Sequence, residues 1–600
     1  MQRSFSIRRT LADLKVRPTW VLADPKVRQS WVLAGLKVRQ TFVVAAVATM
    51  VVLGGAVVTT QSPRFFSDDP VTREPDPEDA SGAQPTDVGL TYDLSYNLFV
   101  TAERIPSNKR ARNINTIDEV PDSSWFTNRL GVAAMSVDDV VRGPNAGPPP
   151  APGKWTIIRE KSSGYAPGFT AHDANGETWF VSFDPPSNPK GATGAVVIAT
   201  KLFWALGYNQ VETFLTTIDP RQVEIDPKAT VRRPNGDRTP FTPSDLAAVL
   251  ERAARNSDGT YEASAARLLT GKILGPFRYE GTRPDDPNDI VPHEARRELR
   301  ALRVFGAWTN LTDLKAGNTL DTLVTENGKS VVKHYLQDVG STFGMGANGP
   351  HDWDEGWEYF YEGGPSRKRL FTFGFALSPW QTVPYGDYAS VGRFEGDRFD
   401  PTTWKPHTPT TAYVDTRPDD AFWAARRVMA FSDDLIRAAV KTGGLTEKGA
   451  EEYFADALIK RRNAIGRVYL TALNPVVDPK LNATGLLTFG NAALQYGLAE
   501  APELYKAAWF TFDNATGATA PIGISEGRDL MLQAPPDLPG GAGSFVRVEL
   551  STVSAAHPAW AQPVVMHFRR GSDGWKLVGL ERQPDGPSPA AKPQPSQEKP

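Results

Sequence analysis

The sequence predicts an α+β protein. A β-rich lobe comes first, a helical lobe follows, and a small β domain closes the chain, all behind an N-terminal transmembrane segment. Three observations predict this. The 600 residues exceed what one hydrophobic core organises, so at least two domains are expected. Strand-like alternation in 151–225 gives way to helical spacing in 276–475. After Asn474-Pro475, short alternating runs return between turn residues and continue over 478–583.

Residues 11–43 hold three near-identical eleven-residue copies, "LADLKVRPTWV", "LADPKVRQSWV" and "LAGLKVRQTFV". Pro18 and Pro25 interrupt any helical pattern there. Residues 1–40 therefore read as a basic cytoplasmic repeat or as a translated DNA repeat ahead of the true start. Residues 41–60, "TFVVAAVATMVVLGGAVVTT", are uncharged and match the ~20 residues that span a bilayer. The flank before them is basic, from Arg8 to Arg39, and "SDDPVTREPDPEDASG" after them is acidic. The positive-inside rule then puts the rest of the chain on the periplasmic or extracellular side. A membrane anchor is expected here, with a cleaved signal peptide as the alternative.

Residues 61–86 are acidic and Pro-rich and are expected to be a flexible linker. On that basis a chain starting near residue 85 is expected to fold. Residues 87–150 are too short and polar for an independent domain and are expected to pack on the lobe after them, ending at "GPNAGPPPAPG". In 151–225, "KWTIIRE", "GFTAHDANGETWFVSFD" and "QVETFLTTI" read as strands, with a hairpin turn at "ANG". Between them, "GAVVIATKLFWALGY" reads as an apolar helix ended by Gly207. Residues 226–275 read as an irregular insertion or hinge with one helix, "PSDLAAVLERAARN". In 276–475, "PHEARRELRALRVFGAWTN", "FWAARRVMAFSDDLIRAAVKTG" and "TEKGAEEYFADALIKRRNAIGRVYLTAL" read as amphipathic helices. The tail 584–600 is Pro-rich and is expected to be disordered.

Composition narrows the function. A net charge of -3 argues against a nucleic-acid binder. The absence of cysteine excludes disulfides and Cys-ligated zinc. No Walker A loop, dinucleotide fingerprint or G-x-S-x-G elbow occurs. What stands out is "DLKAGN", with Asp313, Lys315 and Asn318 spaced D-x-K-x-x-N. A strand-like run comes next and delivers Asp338 into the turn "DVG". Phosphoryl transfer needs a carboxylate at the attacking hydroxyl, hard oxygen ligands for a divalent cation, and a cation on the developing charge. Asp313, then Asn318 and Asp338, then Lys315 supply these. The bland alternative is turn chemistry at a helix-to-strand connection and a strand end.

A β-rich lobe, a helical lobe with D-x-K-x-x-N and a strand ending D-x-G resemble the protein-kinase-like superfamily. The resemblance covers roughly residues 154–470 and is nearest its atypical branches: HipA-like, CotH-like and phosphatidylinositol kinases. It implies a two-lobed fold and use of ATP with Mg²⁺ or Mn²⁺. It also implies Asp313 as catalytic-loop Asp, Lys315 as phosphate contact, and Asn318 and Asp338 as metal ligands. The chain departs from the pattern where a nucleotide-anchoring Lys should precede "FDPP", since Ser182 stands there. The helix that should carry its acidic partner, near Val196, has no Asp or Glu. Lys161, Lys190 or Lys201 are the candidate substitutes, and "REKSSGYAPGF" the candidate phosphate loop. The resemblance implies a phosphotransferase acting on a protein or small hydroxyl compound, or a pseudokinase-type binding or scaffold protein; the aromatics and the C-terminal β domain alone suggest a surface adhesion or polysaccharide-binding protein. His293 and Glu294, the acidic-aromatic run "HDWDEGWEYFYEGG", and Asp285, Asp286 and Asp289 read as a helix start, a partly packed loop under the cleft (with a cation or sugar site as the alternative), and a solvated turn.

Overall fold

Seven strands build the first lobe: β1 (Trp155–Glu160), β2 (Gly168–His172), β3 (Thr178–Phe183), β4 (Thr213–Ile218), β5 (Val223–Arg232), β6 (Arg238–Pro240) and β7 (Tyr261–Arg267). They hydrogen-bond in the order β4-β7-β3-β2-β1-β5-β6. The computed structural model describes residues 62–161, 164–375 and 377–583. The expectations placed on 1–40, 41–60 and 584–600 lie outside those residues. Among the described residues no helix is long and apolar enough to cross a membrane.

Alternation explains the strands. Trp155 and Ile157 on β1, and Trp179, Val181 and Phe183 on β3, turn inward and are buried together. The β2–β3 turn is set by Asp173, whose carboxylate accepts from the Asn175 and Glu177 N–H groups. Two helices precede the sheet, α1 (Leu90–Phe99) and α2 (Val137–Arg142). A third, α3 (Gly191–Leu206), connects β3 to β4 and is apolar on nearly every face, as a core helix must be. It ends at Gly207, φ +125°, where an added Cβ would lie 2.2 Å from the Phe126 ring. Its start is held by Asp184, at the end of β3, which accepts from the Lys190 and Thr193 N–H groups and the Thr193 hydroxyl.

The expected irregular insertion belongs to the sheet. β5 runs parallel to β1, β6 pairs with β5, and α4 (Pro243–Glu251) leads into β7. β5 was illegible as a strand because "VEIDPKATVR" carries a proline and four charges, which a strand near a sheet edge tolerates.

The helical lobe contains α5 (Arg297–Arg300) and α6 (Leu302–Thr309). A small sheet comes next, in which β8 (Lys272–Gly275) pairs with β9 (Leu320–Glu326) and β9 with β10 (Lys329–Tyr335). Then come α7 (Gly363–Phe371), α8 (Thr411–Val414), α9 (Pro418–Met429), α10 (Asp433–Lys441) and α11 (Ala450–Tyr469). One core joins α3, α6 and α8–α11 to Trp125, Phe126, Leu130 and Val140 of the 87–150 segment.

Three expectations are corrected here. Arg296, Arg297 and Arg300, expected as the charged face of a helix, are buried. Arg297 bonds Asp420 at 2.9 Å and pairs with Asp118 at 3.0 Å, and Arg300 reaches Asp420 at 3.1 Å. Asp286 and Asp289, expected in a solvated turn, are also buried, and Asp289 pairs with His293 at 2.7 Å. Residues 62–86, expected as a flexible linker, run as an ordered strap. Phe65 is buried against Phe512 and Val578 beside the C-terminal sheet, and Ala80 and Ala83 against Leu274 and Val332. Acidity and proline do not prevent docking when a few small or aromatic side chains find complementary surface.

The C-terminal β region has its own core, built on Tyr505, Trp509, Val548 and Met566 among others. Its five-stranded antiparallel sheet comprises Leu504–Phe512, Thr519–Gly527, Phe545–Val553, Val564–Arg570 and Trp575–Glu581.

Candidate active site

After α6, Leu314 packs in the core and Ala316 is buried, while Asp313, Lys315 and Asn318, the last closing a 3-10 turn (Ala316–Asn318), remain partly exposed. Helix α6 ends at Asn310 in the left-handed region, φ 55°, and its Oδ1 accepts from the Trp404 indole N–H at 2.8 Å. Burial on one side of the chain thus sets Asp313 and Lys315 on the other. The Lys315 Nζ donates to Asp313 Oδ2 at 2.7 Å. The Asn318 amide donates to the Asp313 carbonyl at 2.8 Å, closing the loop on itself.

Two backbone bonds lace this loop to the turn after β10. The Asp338 N–H donates to the Asn318 carbonyl at 3.0 Å, and the Thr312 N–H to the Ser341 carbonyl at 3.3 Å. Asp338 therefore stands beside Asn318 although the β9–β10 hairpin separates them in sequence. Its carboxylate is exposed, and Oδ1 accepts from the Gly340 N–H at 2.9 Å, an Asx-type turn that fixes its direction. Turn chemistry and a presented carboxylate coexist at this residue.

Of the three candidate lysines, Lys161 is the one in this neighbourhood. It follows β1, and burial pushes its ammonium below the ordinary lysine range while the Asp338 carboxylate pulls it back up. Gly168 opposite it has no room for a side chain. A Cβ there would meet the Val181 carbonyl at 2.2 Å and the Lys161 Cδ at 3.3 Å. The loop beyond is pinned where Arg252 donates to the Tyr165 carbonyl at 2.6 Å. Lys190 instead pairs with Glu262 at 2.6 Å. Lys201 donates to the Val141 and Arg142 carbonyls at the end of α2, and burial lowers it to about 8. Both have structural partners away from Asp338. Ser182 lies on β3 opposite Gly168 and Ser264. Val196 on α3 faces the turn itself, 3.6 Å from where a Gly340 Cβ would lie.

Sequence reasoning missed two supports of this site. The Ser341 hydroxyl contacts His351 Nε2 at 2.9 Å, and Glu355 lies 3.4 Å from His351 Nδ1 while accepting from the Thr312 hydroxyl at 2.7 Å. Burial pushes the His351 imidazolium down, whereas Glu355 and Asp313 favour it. The acidic-aromatic run is thus only partly packed: buried His351 braces the site, while Trp353, Phe360 and Tyr361 are exposed. From the other side α1 lies on the loop. Asp93 accepts from the Ala316 N–H at 3.2 Å, and Leu90 fills the space beside Gly317. No local motif announces either contact.

Among the described residues no group of three or more His, Asp or Glu side chains could hold a metal ion. The donor pair that is present, one exposed carboxylate and one adjoining amide, suits a hard cation whose other ligands are phosphate oxygens and water.

No protein-family model and no curated protein matches the chain. Among solved structures it is similar to the Golgi casein kinase, with TM-score 0.29 and 11% identity over 66% of this chain and 93% of that one. The same enzyme with Mn/ADP bound gives 0.28 and 11%, over 66% and 94%. The Helicobacter pylori proinflammatory kinase CtkA gives 0.28 and 13%, over 53% and 97%.

Proposed function

We propose that this chain is a phosphotransferase of protein-kinase-like architecture that moves the terminal phosphoryl group of ATP to a hydroxyl of a protein or small molecule. One observation carries the proposal: the loop holding Asp313, Lys315 and Asn318 is laced by backbone hydrogen bonds to the turn holding Asp338. The strand order supports it. β1, β2, β3, β7 and β4 form a continuous antiparallel sheet, with α3 crossing after β3. The phosphate loop then falls between β1 and β2, the part that covers the phosphates in protein kinases.

Each side chain has a role. Asp313 accepts the proton of the attacking hydroxyl as its oxygen bonds to the terminal phosphorus. The bond from phosphorus to the bridging oxygen breaks, and ADP leaves with that electron pair. Lys315 meets the charge on the transferred group, and Lys161 that on the phosphates behind it. Asn318 and Asp338 would hold Mg²⁺ or Mn²⁺, which neutralises phosphate charge when bound. The basic flank before residues 41–60 and the acidic flank after them support a membrane-anchored, non-cytoplasmic location. A pseudokinase-type binding protein is the second reading. It is favoured by Val196, which stands where an acidic helix partner would face the turn.

Thermal unfolding with ATP and Mg²⁺ tests both. Binding at a hundredfold excess over Kd should stabilise the fold by about 2.7 kcal/mol. Asp338→Asn should abolish the metal-dependent part, because an amide is a poorer ligand for a hard dication. Asp313→Asn should keep the shift and lose transfer. A shift without transfer in the wild type leaves the pseudokinase reading, and no shift removes both.

A further inference from the structure

A second surface stands apart from the phosphoryl-transfer chemistry and does not depend on it. Leu370, Phe371, Phe373, Phe375 and Leu377 are each between 64% and 89% exposed. Single exposed apolar residues are ordinary, but five large ones within eight positions form a patch that needs an occupant. The segment carrying them is built as a protrusion. Glu358 clamps its base, accepting from Arg369 at 2.7 and 2.9 Å, from the Trp380 indole N–H at 2.9 Å and from the Ser378 hydroxyl at 3.3 Å. Those partners lie on both sides of the apolar run, so one carboxylate gathers its two ends.

The charge around the tip selects the occupant. Arg367 and Lys368, immediately before the apolar run, are exposed, and Lys368 takes part in no ion pair among the described residues. An aromatic and aliphatic tip with a cationic collar is complementary to a bilayer whose headgroups are anionic. The rings enter the acyl boundary and the cations stay at headgroup level. Each cation near such a surface strengthens binding, a gain that an uncharged surface does not return. We infer that residues 367–375 and Leu377 form a membrane-docking tip that inserts into anionic lipid surfaces.

The absence of cysteine in the sequence makes the test direct. In the full chain reconstituted with vesicles, Phe373→Cys carries a polarity-sensitive fluorophore, and Ala515→Cys, an exposed turn position in the C-terminal β region, carries the same label as control. On vesicles containing phosphatidylglycerol the probe at 373 should shift to the blue and be quenched roughly twofold by lipid-borne nitroxides, with a weaker response on pure phosphatidylcholine. The probe at 515 should stay in water, which separates docking from tethering elsewhere in the chain. Arg367→Glu with Lys368→Glu should remove the preference for phosphatidylglycerol. A probe at 373 that remains in water on both vesicles overturns the inference and points to a protein partner. An equal response on both vesicles, or the same response at 515, also overturns it.

Discussion

The proposed function gives Lys161 the role that Ser182 cannot fill. Protein kinases place the phosphate-anchoring lysine on the third strand, where this chain has Ser182. The register sets Ser182 opposite Gly168, and the Lys161 Cδ lies 3.3 Å from where a Cβ on that glycine would be. In the proposed function a lysine following the first strand takes the place of one on the third. Lys161→Met should weaken ATP binding about tenfold to a hundredfold, the size of a lost charge-assisted hydrogen bond, with unchanged folding. Adding Ser182→Lys in that background should recover part of the loss. Isothermal titration with ATP and Mg²⁺ checks both, and wild-type affinity in Lys161→Met would remove Lys161 from the site. The spacing of Asp313, Lys315 and Asn318 was legible because it is local. The choice among Lys161, Lys190 and Lys201 was not, since all three look alike until Glu262 and the α2 carbonyls claim two of them. His351 and Asp93 were invisible for the same reason, being brought to the loop by distant chain.

At the scale of elements, periodicity read well where one face is buried. β1, β2, β3 and β4 follow the predicted runs, and α3 ends at the predicted Gly207. It read poorly where the buried groups are charged. The arginines of α5 fit a solvent-facing pattern and are instead matched to acids from far segments, Asp118 and Asp420. Loss of one partner of such a pair costs ~3–5 kcal/mol because the other charge is left buried and unpaired, so these contacts fix how the 87–150 segment seats on the helical lobe rather than adding net stability. The C-terminal sheet carries the clearest pH dependence. His567, on Val564–Arg570, is enclosed by Phe65 and Phe512. Burial, then the charges of Arg64 and Arg547, lowers it to about 3. The unfolded chain binds a proton near the ordinary histidine value of about 6.5, whereas the native state stays neutral. This residue therefore contributes nothing to pH dependence above that value. Stability falls as pH drops from there toward 3, by up to about 1.4 kcal/mol per pH unit. His567→Phe should flatten that slope by one proton between pH 6 and 4 in urea unfolding. An unchanged slope would mean that His567 protonates freely in the fold.

At the scale of the whole molecule, the strap formed by residues 62–86 connects parts that the sequence suggested were independent. Near its start, the Phe65 N–H donates to Asn514 Oδ1 and the Asn514 amide donates back to the Phe65 carbonyl, both at 2.8 Å. Near its end, the Ala80 N–H donates to the Ser330 carbonyl at 2.9 Å and the Thr86 N–H to the Leu274 carbonyl at 2.8 Å. The same short segment thus lies on the C-terminal sheet and on the β8–β10 sheet whose hairpin presents Asp338. The expectation that a chain starting near residue 85 would fold is revised accordingly. That truncation uncovers Phe512, Val578, Leu274 and Val332 together, and deletes the Phe65 ring whose removal alone costs about 3–5 kcal/mol. A chain of residues 62–583 should unfold cooperatively, while one of residues 85–583 should melt well below it or aggregate. Phe65→Ala in the longer chain separates the two ends of the strap. It should lower stability without altering ATP binding, because Phe65 touches only the C-terminal side. Equal melting temperatures for the two truncations would show that the strap lies on the surface without stabilising it.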